Sequence, residues 1–314
     1  MATSKTAVNT THASWIETPP SSPPLRRWSG EAIERQGWLD ALAEPLQNWA
    51  RSLSKVPALR KLKDGLHGTW FGHPVHPAIA DIPIGSWAST VLLDGFWLAR
   101  DEPELARAAD LTLILGLVGA GLSAATGLAD WSETDAIDRR VGLAHGLLNA
   151  GALLANLLSC GLRFGGLRRA GIAVSSVGYA LTLCSSYLGG ELSFAKGVGV
   201  NHVAWEAGSD KFVAVMRAAD LPEKKLTRVE AEGIPVVLWK DGEQIYALAA
   251  TCSHAGGPLD EGTCRDGTVT CPWHGSCFRM TDGAVVSGPA VYAQPTFAVR
   301  VRKDRIELRR LEHA

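Results

Sequence analysis

Cysteine is scarce in this sequence: six residues in 314, too few for a disulfide framework. Net charge is nearly absent as well. Lysine plus arginine number 31 and aspartate plus glutamate 32, and no basic patch rises out of that balance, so nucleic acid is not an expected partner. Residues 1–30 lack the basic start and apolar stretch of a secretory signal peptide. They are polar, carry Pro19-Pro20 and Pro23-Pro24, and hold too little apolar surface to offset their ordering entropy, so disorder is expected there. The most informative absence is local. Three long stretches of the chain contain no charged residue.

Those stretches are LTLILGLVGAGLSAATGLA (111–129), VGLAHGLLNAGALLANLLSCGL (141–162) and AGIAVSSVGYALTLCSSYLGG (170–190). Each is 19 to 22 residues long, and about 20 helical residues cross the hydrocarbon core of a bilayer. A fourth run, Pro77 to Ala99, has the length but contains Asp81, Pro83 and Asp94. Charge gathers between the runs, at 100–110, 130–140 and 163–169. A buried soluble bundle would need a polar face toward water, which three of the four lack, whereas small residues suit close helix packing in lipid. Four transmembrane helices are therefore expected, with membrane lipid as a partner.

Ahead of them, 31–54 places Ile33, Trp38, Leu42, Leu46, Trp49 and Leu53 at helical spacing, with Pro45 as a kink or break. This amphipathic helix either packs on its own domain or lies along a membrane surface. Within the runs the polar residues fall on faces: His145, Asn149 and Asn156 in the third, and Ser175, Tyr179, Thr182 and Ser186 in the fourth. Such stripes point into a bundle, where Ser, Thr and Asn bond between helices; His145 and Asp94 cost more to bury and are the stronger functional candidates. The entry GHPVHPAIADIPIGSW (72–87), with His-Pro steps at His73 and His76, and the exit GGELSFAKGVGVNH (189–202) flank the four runs. Together these resemble an uncharacterised family of small four-helix membrane proteins, over about 55–205. The resemblance implies a fold and no chemistry.

After about residue 208 the texture changes. Strand-like runs at 234–240, 244–250, 267–271 and 297–303 alternate with turns at Asp241-Gly242, Asp266-Gly267 and Asp282-Gly283, which reads as a small all-β domain. On its loops stand Cys252-x-His254 and, sixteen residues on, Cys271-x-x-His274. Zinc sites usually space paired ligands by two to five residues, often with one pair on a helix. Followed by Gly256-Gly257-Pro258-Leu259 and Gly275-Ser276, and with Ser287-Gly288-Pro289 as a third loop, the two pairs resemble the Rieske [2Fe-2S] domain, over about 210–310.

That resemblance implies that Cys252 and Cys271 hold the inner iron and His254 and His274 the outer, the histidines lying at the surface where a partner docks. Two neutral histidines in place of thiolates make electron uptake easier. The quinol-oxidising branch joins its ligand loops by a disulfide; the corresponding positions here are Gly257 and Trp273, and Phe278 stands where that branch has a tyrosine. The sequence resembles the ferredoxin-type branch instead. Cys264 and Cys277 are read as free thiols, with a nonstandard bridge between them left open.

The fold class expected is thus multidomain: a disordered 1–30, an amphipathic helix 31–54, an N-terminal all-α four-helix transmembrane bundle at 55–205, and a C-terminal all-β Rieske iron–sulfur domain at 210–310. The expected function is a membrane-anchored [2Fe-2S] protein passing single electrons between a redox partner, a reductase or oxygenase component, and another protein or an acceptor in the bundle. The alternatives are the ferredoxin component of a Rieske oxygenase or similar multicomponent oxidoreductase, or a membrane-tethered redox sensor. An oxygenase proper needs a mononuclear iron on two histidines and a carboxylate, and the eleven residues after Lys303 leave no room for that domain. The expected location is the inner membrane, multi-pass, with the cluster domain cytoplasmic; the charge of the loops does not orient it. A second site is suggested at one end of the bundle, where His73, His76, His145 and His202, with Asp81 nearby, would bind haem or a quinone if they faced one another. Otherwise His73 and His76 merely cap the helix entry.

Overall fold

The computed structural model describes residues 32–311 apart from 34, 207 and 209. The stretch expected to be disordered, 1–30, lies outside the described residues. Six helices precede ten strands among them: α1 (Trp38–Leu53), α2 (Pro57–His67), α3 (Val75–Arg100), α4 (Pro103–Trp131), α5 (Ala136–Phe164) and α6 (Arg168–Gly190), the last running into a π turn at Glu191–Ala195.

Short connections make α3 with α4, and α5 with α6, antiparallel hairpins, and the two hairpins pack side by side as a four-helix bundle. Packing is closest within each hairpin and looser between them. Glycines set that closeness: Gly116 of α4 leaves the space that the Trp87 ring of α3 fills. The surface facing away from the centre is apolar, with Leu92, Phe96, Leu115, Val118, Leu154 and Leu158 all exposed. Three helices, Pro103–Trp131, Ala136–Phe164 and Arg168–Ala195, are long and apolar enough to cross a membrane. The fourth member, α3, is 26 residues long but carries the two aspartates. One of these has a partner inside the bundle. Asp94 and Arg163, with side chains 2% and 1% exposed, form a bidentate pair (2.8 Å for Nη1 to Oδ1). Ser159 and Ser175 accept from the same guanidinium, and Asp110 with Arg168 completes the network.

Helix α1 settles on the bundle through Leu39 and Ala43, which pack with Trp131 and Leu143. Gln47 donates to the carbonyls of Trp131 and Thr134 at 2.9 Å each, and Asp40 pairs with Arg139 and Arg140. Its other face leaves Trp38, Leu42, Leu46 and Trp49 about half exposed. Both readings of the amphipathic stretch therefore have a face: one packs on its own chain, and the other is apolar and uncovered.

The strands are β1 (Val213–Arg217), β2 (Thr227–Ala231), β3 (Ile234–Asp241), β4 (Gln244–Ala249), β5 (Thr263–Arg265), β6 (Thr268–Thr270), β7 (Cys277–Arg279), β8 (Val285–Ser287), β9 (Phe297–Arg302) and β10 (Arg305–Arg310). They form three antiparallel sheets, ordered β1-β10-β9, β2-β3-β4 and β5-β6-β7-β8. β3 shows why its sequence is a continuous apolar run. Val236 and Leu238 enter one core with Phe297, Ile306 and Leu308, while Val237 and Trp239 enter a second with Leu248, Leu259, Val269 and Phe278. The second core ends on Cys252 and Cys271.

Candidate functional site

The two Cys-His pairs sit on loops of the same build. In the first, Cys252 N–H donates to the carbonyl of Gly257 (2.8 Å) and Gly256 N–H donates back to the Cys252 carbonyl (2.9 Å). In the second, Cys271 N–H donates to Ser276 (2.8 Å) and Gly275 N–H to Cys271 (3.1 Å). The return in each loop is made by a glycine at positive φ, +75° at Gly256 and +76° at Gly275, a conformation that a Cβ resists. Gly257 is fixed by crowding instead: a Cβ there would stand 2.9 Å from Cys271 Sγ and 3.0 Å from the Trp273 ring. A side chain at this position is excluded while Trp273 stays where it is.

The loops bring the four side chains together as two pairs. Cys252 and Cys271 are buried, with their sulfurs in hydrogen-bonding contact; sharing that bond pushes the Cys252 thiol up and lowers Cys271 to about 6. The His254 and His274 rings meet edge to face, centroids 5.0 Å apart. Burial, then the neighbouring imidazoles of His274, His67 and His202, hold His254 near 3, so it is a neutral donor. No three His, Cys, Asp or Glu residues gather about one point among the described residues. Two sulfurs on one side and two imidazoles on the other is the donor set that a two-iron cluster takes, two protein ligands to each iron.

A third loop braces the first. Gln294, fully buried, accepts from Ser253 N–H (3.1 Å) and donates to the carbonyls of Ala249 and Thr251, while Ser253 Oγ donates to Tyr292 O (2.8 Å). The described cysteines are all free, Cys264 and Cys277 included. Burial, then nearby Asp241 and Asp266, push the Cys264 thiol up to about 11.

The outer face of the site is covered by the helical part of the same chain. His274 Nε2 lies 3.1 Å from Asp135 Oδ2, in the connection between α4 and α5, and its side chain is only 11% exposed. Burial opposes ionisation of that carboxyl, but His274 and Arg51 together hold it below its ordinary value. On α2, Asp64 accepts from Ser287 Oγ and Gly288 N–H at 3.0 Å each, and Arg60 Nε donates to Ser287 Oγ (3.1 Å). His202 N–H donates to Ser253 O (3.1 Å). The family resemblance implies surface histidines; here the helical connection occupies that place, and Trp273, 58% exposed, is the neighbouring edge left open.

The histidines suggested for the bundle end divide. His73 packs edge-on against Tyr292 at 5.8 Å, and His202 bonds its own turn through Gly197 O (3.1 Å), so both serve the junction with the β part. Asp81 is exposed on α3 and is not brought to the histidines. His76 and His145 do meet inside the bundle, centroids 6.4 Å apart. Sequence reasoning passed over His67, which is 3% exposed and bonded to Asp130 Oδ1 at 2.7 Å. It lies in a polar helix outside the entry motif, and no local pattern marks it.

With this geometry in view, comparison with known proteins separates the two halves. Residues 211–298 match the model of the Rieske [2Fe-2S] domain, and residues 72–202 that of a "Predicted membrane protein (DUF2231)". The ferredoxin CarAc of Metapseudomonas resinovorans is 30% identical over 30% of this chain and 90% of its own length. Human apoptosis-inducing factor 3 is 34% identical over 32% of this chain, but the matched part is 17% of that protein. Among solved structures, the ferredoxin of carbazole 1,9a-dioxygenase from Nocardioides aromaticivorans IC177 is 28% identical, covering 32% of this chain and 97% of its own, with a TM-score of 0.31. The chain belongs to the Rieske family. Its C-terminal domain is a ferredoxin-type Rieske domain carrying a [2Fe-2S] cluster, fused to a helical domain of the predicted membrane class.

Proposed function

We propose that this protein is a membrane-anchored carrier of single electrons in which Cys252 and Cys271 hold one iron of the cluster and His254 and His274 the other. The donor set and the matched loops support that assignment. The cluster supplies one-electron uptake and release. The protein's part is to hold the ligands and shape their surroundings. Gly256 and Gly275 turn the loops, the core under Cys252 and Cys271 excludes water, and Gln294 fixes the backbone beside His254. Asp135 orients the His274 ring and adds electron density to it through the free nitrogen.

The observation that carries the functional reading is the cover over His274. In this arrangement the histidine edge faces the helical domain, which supports electron exchange with something held there, while the exposed Trp273 edge is the place for a soluble redox partner. The ferredoxin relatives favour a second reading, as the ferredoxin component serving an oxygenase and a reductase: one is a 3-phenylpropionate/cinnamic acid dioxygenase ferredoxin subunit, 32% identical over 83% of its length.

Anchoring rests on the three apolar helices, on the exposed apolar surface of the bundle, and on aromatics at its cluster-facing end: Trp70, Phe71 and Trp205, with Trp38 and Trp49 of α1. In this reading α1 lies in the interface with its uncovered face toward lipid, the four helices span the inner membrane, and the cluster domain stands on the cytoplasmic side. Cell fractionation with a carbonate wash tests the anchoring: the full chain is expected to stay in the membrane fraction until detergent is added, and release by carbonate alone would refute it. Reduction of the purified cluster by a ferredoxin reductase at the same rate in the Trp273→Ala variant would exclude docking at that edge.

A further inference from the structure

The two hairpins of the bundle repeat one arrangement. In the first, His76 at the start of α3 sets Nδ1 3.0 Å from the carbonyl of Ser123 and 3.2 Å from Thr126 Oγ1 on α4. Its ring lies on Gly127, where a Cβ would come within 2.7 Å. In the second, His145 of α5 sets Nδ1 2.8 Å from the carbonyl of Ser185 and 2.9 Å from its Oγ on α6. Its ring lies on Gly189, where a Cβ would come within 3.3 Å. Each histidine on the first helix of a hairpin is thus received by Ser-x-x-x-Gly on the second, Ser123 to Gly127 and Ser185 to Gly189. The serine carbonyl takes the ring N–H, and the glycine one turn later lets the ring lie against the backbone.

These bonds decide the tautomer. A carbonyl only accepts, so both imidazoles carry hydrogen on Nδ1, and the lone pair of the neutral ring is on Nε2. His76 Nε2 makes no hydrogen bond among the described residues, and His145 Nε2 receives one from the Asn149 amide at 3.0 Å. The rings meet edge to face between the diagonal helices α3 and α5, centroids 6.4 Å apart and planes at 86°. A metal-ligating histidine commonly gives its far N–H to a carbonyl in this way. A free zinc ion takes three or four protein ligands, and no third His, Cys, Asp or Glu joins these among the described residues. An iron tetrapyrrole brings four nitrogens of its own and asks for one imidazole on each side. A quinone carbonyl would need an N–H donor, and both N–H groups are already given to serines.

We infer that the helical domain binds one haem, with His76 and His145 as its axial ligands. A tetrapyrrole would occupy the seam between the two hairpins, where packing is looser than within each, and its iron would take the place of the Asn149 amide at His145 Nε2. It is held without covalent attachment, since the sequence has no Cys-x-x-Cys-His. His73, three residues before one ligand, touches Tyr292 of the cluster domain, so the site stands at the end of the bundle on which that domain docks. The binding claim does not rest on the electron-carrier reading.

The test is a pyridine haemochrome assay and a reduced-minus-oxidised spectrum of the full chain, purified in detergent from haem-replete cells. About one haem per chain with the low-spin spectrum of two histidine ligands is expected. His76→Ala and His145→Ala should each lower haem per chain at least about tenfold. Their iron–sulfur content and gel-filtration profile, together with the haem content of His73→Ala, should stay unchanged. Near-infrared magnetic circular dichroism of the wild-type protein reports the two ligands directly, even if a variant fails to fold. Absence of haem from the wild type after growth with haem and incubation with haemin would overturn the inference. So would full haem content in both variants, or zinc, copper or extractable quinone found there instead.

Discussion

His274 Nε2 and Asp135 Oδ2 stand 3.1 Å apart across the junction between the β domain and the helical bundle. They join residues 139 positions apart in sequence, and they put a carboxylate against the imidazole we assign to the outer iron. The contact ties the position of the cluster domain to its electronic properties.

A carboxylate bonded to a ligand imidazole favours the oxidised, more positive cluster. Asp135→Asn keeps the shape and removes the charge, so the reduction potential should rise by on the order of tens of millivolts. Redox titration followed by electron paramagnetic resonance measures this. An unchanged potential would mean that the helical domain does not touch the cluster ligand in solution.

Gly257 supplies a packing test. A methyl group there meets Cys271 Sγ at 2.9 Å, and overpacking of a tight site costs about 1–3 kcal/mol. Gly257→Ala should purify with less cluster per chain by iron and sulfide analysis, and the double variant Gly257→Ala/Trp273→Ala, which opens the other side of the contact, should recover part of it. Full cluster content in the single variant would show that the loop is looser than described.

Much of this site can be read in the sequence, because the chemistry and the turns are local. Cys-x-His and Cys-x-x-His each carry their own glycine, and the strands beneath show period-two or continuous apolar runs. What joins distant segments is not local and has no such mark. Nothing near Asp94 announces Arg163, 69 residues on, nor does the polar stripe Ser175, Tyr179, Thr182 and Ser186 identify which serine meets His145. It is Ser185, whereas Ser186 turns back to the Thr182 carbonyl of its own helix. The covered histidine edge was equally invisible, because it depends on how two separately legible domains meet.

The Asp94–Arg163 pair makes the weaker fourth span a sound member of the bundle. Breaking a buried pair on one side costs about 3–5 kcal/mol, and Arg163 would keep only its longer carboxylate contact, to Asp110 (3.2 Å). Asp94→Asn should therefore lower the thermal midpoint of the detergent-purified protein markedly, whereas Asp81→Asn, at an exposed position, should leave it nearly unchanged. Equal effects of the two would contradict the described packing.

Attachment of α1 should depend on pH at the acid end only. Hydrogen bonds from Arg140 and then Arg139 hold the Asp40 carboxyl down to about 2, below its ordinary 3.8. A carboxyl depressed on folding contributes fully above its unfolded value, and the contribution disappears as pH falls through the folded one, here between about 4 and about 2. Hydrogen-exchange protection of Trp38–Leu53 should persist to pH 4 and fall toward pH 2 in the wild type. In Asp40→Asn it should be low already at pH 5. Identical profiles would remove Asp40 from the attachment.

The central claim is a cluster on two cysteines and two histidines in this chain. Pulsed electron paramagnetic resonance of the reduced, detergent-purified protein tests it most directly, since it counts strongly coupled imidazole nitrogens. Two such nitrogens in the wild type, falling to one in His274→Cys, are the expected result. A reduced cluster with no coupled imidazole nitrogen, or a protein holding zinc and no paramagnetic centre, would contradict it.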